Sequence, residues 1–274
     1  MRTVVAIPAY KPKMTDTEKY VLQQCVRVLG KQREIVLFVP ESLDCQAYLA
    51  VAPEARIERF DDAFFDSVAS YSNLLLMPDF YCRFSEYDYM LLFQLDGWVF
   101  RDELDLWCAK GYEYIGGPFY QDDGRDKIPV VGNGGVSLRR IEAMIRVLSA
   151  PEKRMFPAKM LLRFSRNYWA QKRYLRSLIP LLRLAGVLPN SRGRYLDSVR
   201  NGALNLEDVV FYFLSREFTP DGLLMPSLKE AALFSIDGYP SRFFSALPCF
   251  CHAWMKNEPE FWKRYINSGD DNIL

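Results

Sequence analysis

Histidine is almost absent from this chain, with one residue, His252, among 274. A Ser-His-Asp hydrolase would have to use it, and no Gly-x-Ser-x-Gly elbow accompanies it, which argues against hydrolase chemistry. No GxxxxGK[ST] loop is present, against a P-loop kinase or ATPase, and no GxGxxG follows the first apolar run, against a dinucleotide oxidoreductase. Net charge is nearly absent too: 35 basic residues face 34 acidic ones, so the total predicts no partner and no nucleic acid is expected. The six cysteines form no CxxC pair and read as reduced core residues, Cys249 and Cys251 included, where a Cys-x-Cys metal or redox site is the other reading. No apolar run reaches the roughly 18 residues of a membrane span. The longest, Ser177 to Leu188, is broken by Pro180 and Arg183. The opening MRTVVAIPAY lacks the marks of a secretory signal, so the expectation is a cytoplasmic protein. There is no internal repeat and no low-complexity linker.

What is there is a chain long enough for one large α/β domain, with half of its residues hydrophobic. Short β-branched runs closed by proline or glycine alternate with stretches of helical spacing. Strands are expected at Thr3 to Ile7, Glu34 to Val39, Ala55 to Phe60, Tyr89 to Leu95 and Tyr112 to Ile115. Helices are expected at Thr17 to Leu29, Ser42 to Ala50, Ala63 to Leu76, Arg139 to Leu148 and Leu206 to Arg216, with a loop rich in glycine, proline and aromatics up to Gly135. Such alternation implies a mainly parallel sheet with helices on its faces.

Lys153 to Arg200 stands apart, since it holds 12 basic residues against the single acid Asp197. We read residues 151–203 as a basic helical insertion within a single domain spanning 1–274. Met160, Leu161, Phe164, Tyr168 and Trp169 interleave there with Arg163, Arg166, Lys172 and Arg173. Two readings stay open: a helix resting on an anionic membrane surface through residues 153–200, or a solvated insertion packed on the core.

Four places carry candidate chemistry. The apolar run 89–95 ends at Asp96, and ligands of open parallel sheets sit beyond the carboxyl ends of strands; the alternative is that Asp96 caps a loop. One carboxylate with substrate phosphates and water can hold Mg²⁺ or Mn²⁺. In the first loop Pro8 turns the chain, Tyr10 can stack on a base and Lys11 can reach a phosphate, while Ser67, Tyr71 and Asn73 stand at helical spacing ahead of the Asp96 strand. The string Gly132-Asn133-Gly134-Gly135 lets backbone approach a ligand closely, Asn133 can orient a sugar hydroxyl, and Arg139 is expected to begin a helix. Glu207 and Asp208 lie at a helix start, where carboxylates also serve as plain caps.

In this order these features resemble the GT-A-fold glycosyltransferases, most closely a bacterial GT-A-like group known mainly as a domain of unknown function. The motifs are Gln94-x-Asp96, Tyr114-Ile115-Gly116-Gly117-Pro118, Asn133-Gly134-Gly135 and Glu207-Asp208, and the resemblance covers roughly residues 3–150 and 204–256. It implies a GT-A-like α/β fold, a nucleotide-sugar donor, a glycan or lipid-linked acceptor, and inversion, in a setting such as lipopolysaccharide or capsule synthesis. It also implies roles. Asp96 and His252 would hold Mn²⁺ or Mg²⁺, with Gln94 standing where the family's first acid is usual. Pro8, Tyr10, Lys11, Ser67, Tyr71, Asn73 and Gln94 would bind donor, Asn133, Gly134, Gly135 and Arg139 the acceptor sugar. Asp208 would be the general base and Glu207 would bind acceptor or orient the loop. The rival readings are a nucleotidyltransferase on the same half-sheet and a non-enzymatic polyanion-binding protein.

Overall fold

A computed structural model describes residues 1–122, 127–149, scattered positions between 161 and 187, and residues 207–216, 221–256 and 258–266. β1 (Thr3–Pro8), β2 (Glu34–Pro40), β3 (Arg56–Phe60) and β4 (Tyr89–Phe93) pair in parallel. β9 (Val136–Arg140) lies antiparallel to β4, and β6 (Tyr114–Gly116) antiparallel to β9, closing a six-stranded sheet in the order β3-β2-β1-β4-β9-β6. The fold is therefore α/β, with a mainly parallel central sheet flanked by helices.

Both faces of the sheet are covered, which is why its strands read as unbroken apolar runs. In β1 the alternation sends Val4 and Ala6 into one core and Val5 and Ile7 into the other. Helix α1 (Asp16–Leu29) closes the second core with Val21, Leu22, Cys25 and Leu29. It starts at a capping box, in which the Thr15 hydroxyl accepts from the Glu18 N–H and the Glu18 carboxylate accepts from the Thr15 N–H.

The first core is closed in part by α3 (Val68–Leu75), α4 (Pro78–Cys82) and α6 (Ile141–Leu148). The single helix expected over 63–76 is broken. A 3-10 turn, Asp62–Phe65, capped by Asp61, is followed by extended backbone at Ser67, which accepts from the Ser70 N–H and starts α3. The helix expected over 42–50 shrinks to α2 (Gln46–Leu49). Within the expected glycine-rich loop lies a hairpin, β7 (Pro118–Asp122) against β8 (Lys127–Val131). Arg139 does not begin a helix, since β9 runs through it and α6 starts at Ile141.

A second, small sheet positions the site. β5 (Trp98–Val99) pairs antiparallel with β11 (Phe250–Cys251), which pairs in parallel with β10 (Ser235–Ile236). Because Cys251 faces Trp98, the end of β11, the end of β10 and the start of β5 meet at one edge. Asp96, Asp237 and His252 are the residues found there. All six cysteines are free; five are buried and Cys82 is exposed. Cys249 packs beneath the small sheet, its sulfur accepting from Trp107 Nε1 at 3.3 Å. Most of the basic stretch 153–200 lies outside the described residues.

Candidate active site

In the order β3-β2-β1-β4 the chain leaves β1 in one direction and returns on its other side, so the carboxyl ends of β1 and β4 flank a switch point. A cavity of about 580 Å³ opens there. Pro8, Tyr10, Lys11, Ser67, Tyr71, Gln94 and Asp96 all line it. Asn73 does not: it is two residues beyond Tyr71 in α3, so the helix turns it to another face, whereas Ser67 and Tyr71 are four apart and share one. Tyr10 stands half exposed at the mouth. Lys11 is held by Glu18, its Nζ donating at 2.8 Å, and Tyr48 donates to the Lys11 carbonyl oxygen at 2.9 Å.

The floor is a chain of polar contacts through His252. Its Nδ1 meets Asp237 Oδ1 at 2.9 Å, and its Nε2 meets Gln94 Oε1 at 3.2 Å and Asp96 Oδ1 at 3.0 Å. Asp237 is held in turn by Asn133, whose Nδ2 donates to Oδ2 at 3.2 Å. Lys256 Nζ donates to Asp96 Oδ2 at 3.1 Å. Burial alone would lower the His252 pKa, but the hydrogen bonds and charges of Asp237 and Asp96 outweigh it and push it up to about 10. Burial alone would raise the Asp96 pKa, yet His252 and Lys256 hold its carboxyl well below the usual carboxylate range.

Asp96 Oδ1 is buried and lies 3.0 Å from His252 Nε2 as an ion pair, without an aligned hydrogen bond among the described residues. With the Nε2 proton given up, the Asp96 oxygen and an imidazole whose other nitrogen is held by Asp237 would fit a divalent cation in its place. Among the described residues no group of three or more His, Cys, Asp or Glu is arranged to hold a metal by itself. Asp96 and His252 fit the protein's share of a site completed by phosphate oxygens and water.

The two adjacent glycines are fixed by close approach. A Cβ on Gly135 would lie 2.1 Å from His252 Nε2, and one on Gly134 would lie 2.3 Å from Glu207 Oε1. One peptide thus separates the histidine from the acidic pair that opens α7 (Glu207–Phe213). Asp208 is 8% exposed; its Oδ2 accepts from the Gly134 N–H at 3.4 Å and its Oδ1 from the Val209 N–H at 2.7 Å. Burial, and then the charge of Glu207, push the Asp208 pKa up to about 7.

Arg139 lies in the core rather than on a sugar-binding surface, and Glu207, at the helix start where the sequence put it, pairs with it. Arg139 has no exposed surface, so its guanidinium reaches no ligand. It donates to Tyr81 Oη at 2.9 Å, Ser137 Oγ at 3.0 Å and the Gly134 carbonyl oxygen at 3.2 Å, and pairs with Glu207 Oε1 at 3.4 Å. Ser72 donates to the other Glu207 oxygen at 3.0 Å. The pair ties the diglycine to α7 from inside the core. Asp237, Lys256, Tyr48 and Ser72 were not singled out from the sequence. For Asp237 a signal existed: like Asp96, it is an acid directly after an apolar strand, followed by glycine.

The non-glycine residues at positive φ among the described ones, Tyr239 (59°), Ala253 (51°) and Glu258 (51°), all lie in the two loops that follow Asp237 and His252. Left-handed backbone costs such residues about 1–2 kcal/mol each, and strain of this kind gathers at binding sites.

No curated protein matches the sequence. Among solved structures, the chain is similar to mouse xyloside xylosyltransferase 1 in its apo form, at 11% identity over 92% of this chain and 97% of that one, with a TM-score of 0.49. It is also similar to core-mannan synthase A (CmsA/Ktr4) from Aspergillus fumigatus in a Mn/GDP form, at 7% identity over 77% of this chain and 71% of that one, with a TM-score of 0.43. One family profile matches residues 54–252, a span that holds Asp96, the diglycine, the Glu207-Asp208 pair and His252. The chain belongs to that family, described as protein of unknown function (DUF5672).

Proposed function

We propose that the protein is a glycosyltransferase that moves a sugar from a nucleotide-sugar donor to an acceptor hydroxyl with inversion. The observation that carries this reading is the meeting, at the carboxyl ends of β1 and β4, of the cavity lined by Tyr10, Lys11 and Tyr71 with the buried oxygen of Asp96 beside His252. The base would stack at Tyr10, and the diphosphate would lie toward Asp96, within reach of Lys11 and Lys256. Mn²⁺ or Mg²⁺, held by Asp96 and His252, would offset charge on the departing diphosphate. Asp237 fixes the imidazole, so that Nε2 faces the cavity side. Asp208, with its pKa near neutrality, suits a base that takes the acceptor proton, and Arg139 with Glu207 holds it in place.

A thermal-shift series with UDP, GDP and CMP, each with and without Mn²⁺, tests the donor. At about 100 times its Kd, the right nucleotide should raise the melting temperature by about 5–10 °C, and more with the metal than without. A protein that none of them shifts is not a transferase of this kind.

No helix among the described residues is long and apolar enough to cross a membrane. We propose a peripheral membrane contact through the basic segment as part of this reading, resting on the exposed side chains of Leu162, Trp169, Tyr174 and Leu178. We expect co-sedimentation with anionic but not neutral liposomes, weakened by salt and by charge reversal at Arg163, Arg166, Lys172 and Arg173. Wild type left in the supernatant with anionic liposomes at low salt would leave a soluble acceptor instead.

A further inference from the structure

Three residues beyond Asp237 the chain enters α9 (Pro240–Phe243), and here a cation stands without a paired acid among the described residues. Arg242 is exposed, and its guanidinium lies 5.6 Å from the Tyr120 ring centre and 5.5 Å from that of Tyr239. Its Nη1 donates to Tyr120 Oη at 3.2 Å, which uses one of five N–H donors. Among the described residues no carboxylate pairs with it. Glu258, the acid of the facing loop, is taken by Ser241, whose backbone N–H donates at 3.1 Å and whose hydroxyl donates at 2.7 Å.

The two rings meet edge to face at 5.3 Å, and Tyr239 keeps 40% of its surface exposed although its backbone is left-handed. An arginine lying against two rings has less side-chain freedom to lose on binding, and its planar fork suits a carboxylate or a phosphate. The cluster adjoins the reacting groups without lining the donor cavity. Tyr239 follows Asp237, which bonds His252 and Asn133, and Asn133 leads into the diglycine beside Asp208. A neutral sugar would have no use for a fixed, unpaired cation at that place.

We propose that Arg242, Tyr120 and Tyr239 form an acceptor subsite for an anionic sugar residue, one that carries a carboxylate or a phosphate. This rests on the glycosyl-transfer reading above. The acid group docks on the free donors of Arg242, and the C–H face of the sugar lies on the exposed part of Tyr239.

Saturation-transfer NMR on the full chain tests it, with methyl β-D-glucuronide and glucose 6-phosphate as anionic probes and methyl β-D-glucoside as the neutral one. Both anionic probes should bind about tenfold more tightly than the glucoside, and Arg242→Gln should bring them to the neutral level. Tyr239→Asn, which tolerates left-handed backbone, should weaken all three about tenfold. Equal binding of charged and neutral probes, or a preference that survives Arg242→Gln, overturns the subsite. The variants are compared at unchanged response to the nucleoside diphosphate. A wild type that responds to nucleotide but shows no anionic preference loses the subsite and keeps the transferase reading. An anionic preference without any nucleotide response keeps the sugar site and sinks that reading.

Discussion

Asp208→Asn is expected to lower turnover by about 10²-fold or more while leaving donor affinity nearly unchanged, because it removes a proton acceptor and no donor contact. The amide keeps the shape of the side chain and can still accept from the Gly134 N–H. With the carboxyl pushed up to about 7, kcat/KM of the wild type should climb about tenfold per pH unit below 7 and level off above it. The Asn variant should lose that slope. The same shift acts on stability with a definite sign. Between the ordinary value of 3.8 and about 7 the native state keeps a proton that the unfolded chain has lost, so stability falls as pH rises through that window. Asp208→Asn should therefore melt higher than wild type at pH 8 and lose most of that advantage near pH 4. Near-normal turnover would remove Asp208 from the chemistry, and a product with retained anomeric configuration would remove the single displacement it serves.

Asp96→Ala and His252→Ala should each abolish the Mn²⁺-dependent part of nucleotide binding and lower activity by at least about 10²-fold. Asp237→Asn should be milder, costing about 10- to 100-fold in metal affinity, since it acts by orienting the ring rather than by donating to the ion. Isothermal titration with the nucleoside diphosphate, with and without Mn²⁺, reads all three. Wild type that stays fully active in EDTA would end the metal assignment. Asp96 would then be left to orient hydroxyls, and Lys11 and Lys256 to balance the diphosphate.

How much of this was legible in the sequence depends on which residues carried it. β1, β2 and β4 were plain, because strands covered on both faces leave unbroken apolar runs that end at Pro8, Pro40 and the Gln94-Leu95-Asp96 turn. The cavity lining at Pro8 to Lys11 followed from the same strand ends. β9 was hidden because two of its five residues are arginines, and the buried Arg139 finds its counter-charge in Glu207, 68 positions away. A partner so distant leaves no local pattern. The β7–β8 hairpin carries Pro118 and Pro129, residues that argue against strands except at edges, where this two-stranded ribbon lies. Lys256 became visible only once the small sheet had folded, and Asp237 offered no more than an acid and a glycine after a short apolar run, since strands of two residues are too short to show an alternation.

That small sheet also sets when in the life of the chain the site comes into being. The strands β1 to β4 are joined by local connections, so their pairing needs no residue beyond Phe93. The edge that holds Asp96 has no partner until Phe250 and Cys251 arrive to pair with Trp98 and Val99. Closing a loop of that length is slow relative to local helix and strand formation, so assembly of the histidine onto the carboxylate belongs to the last events of folding. A chain that stops short of β11 lacks His252, and with it half of the proposed ion-binding pair.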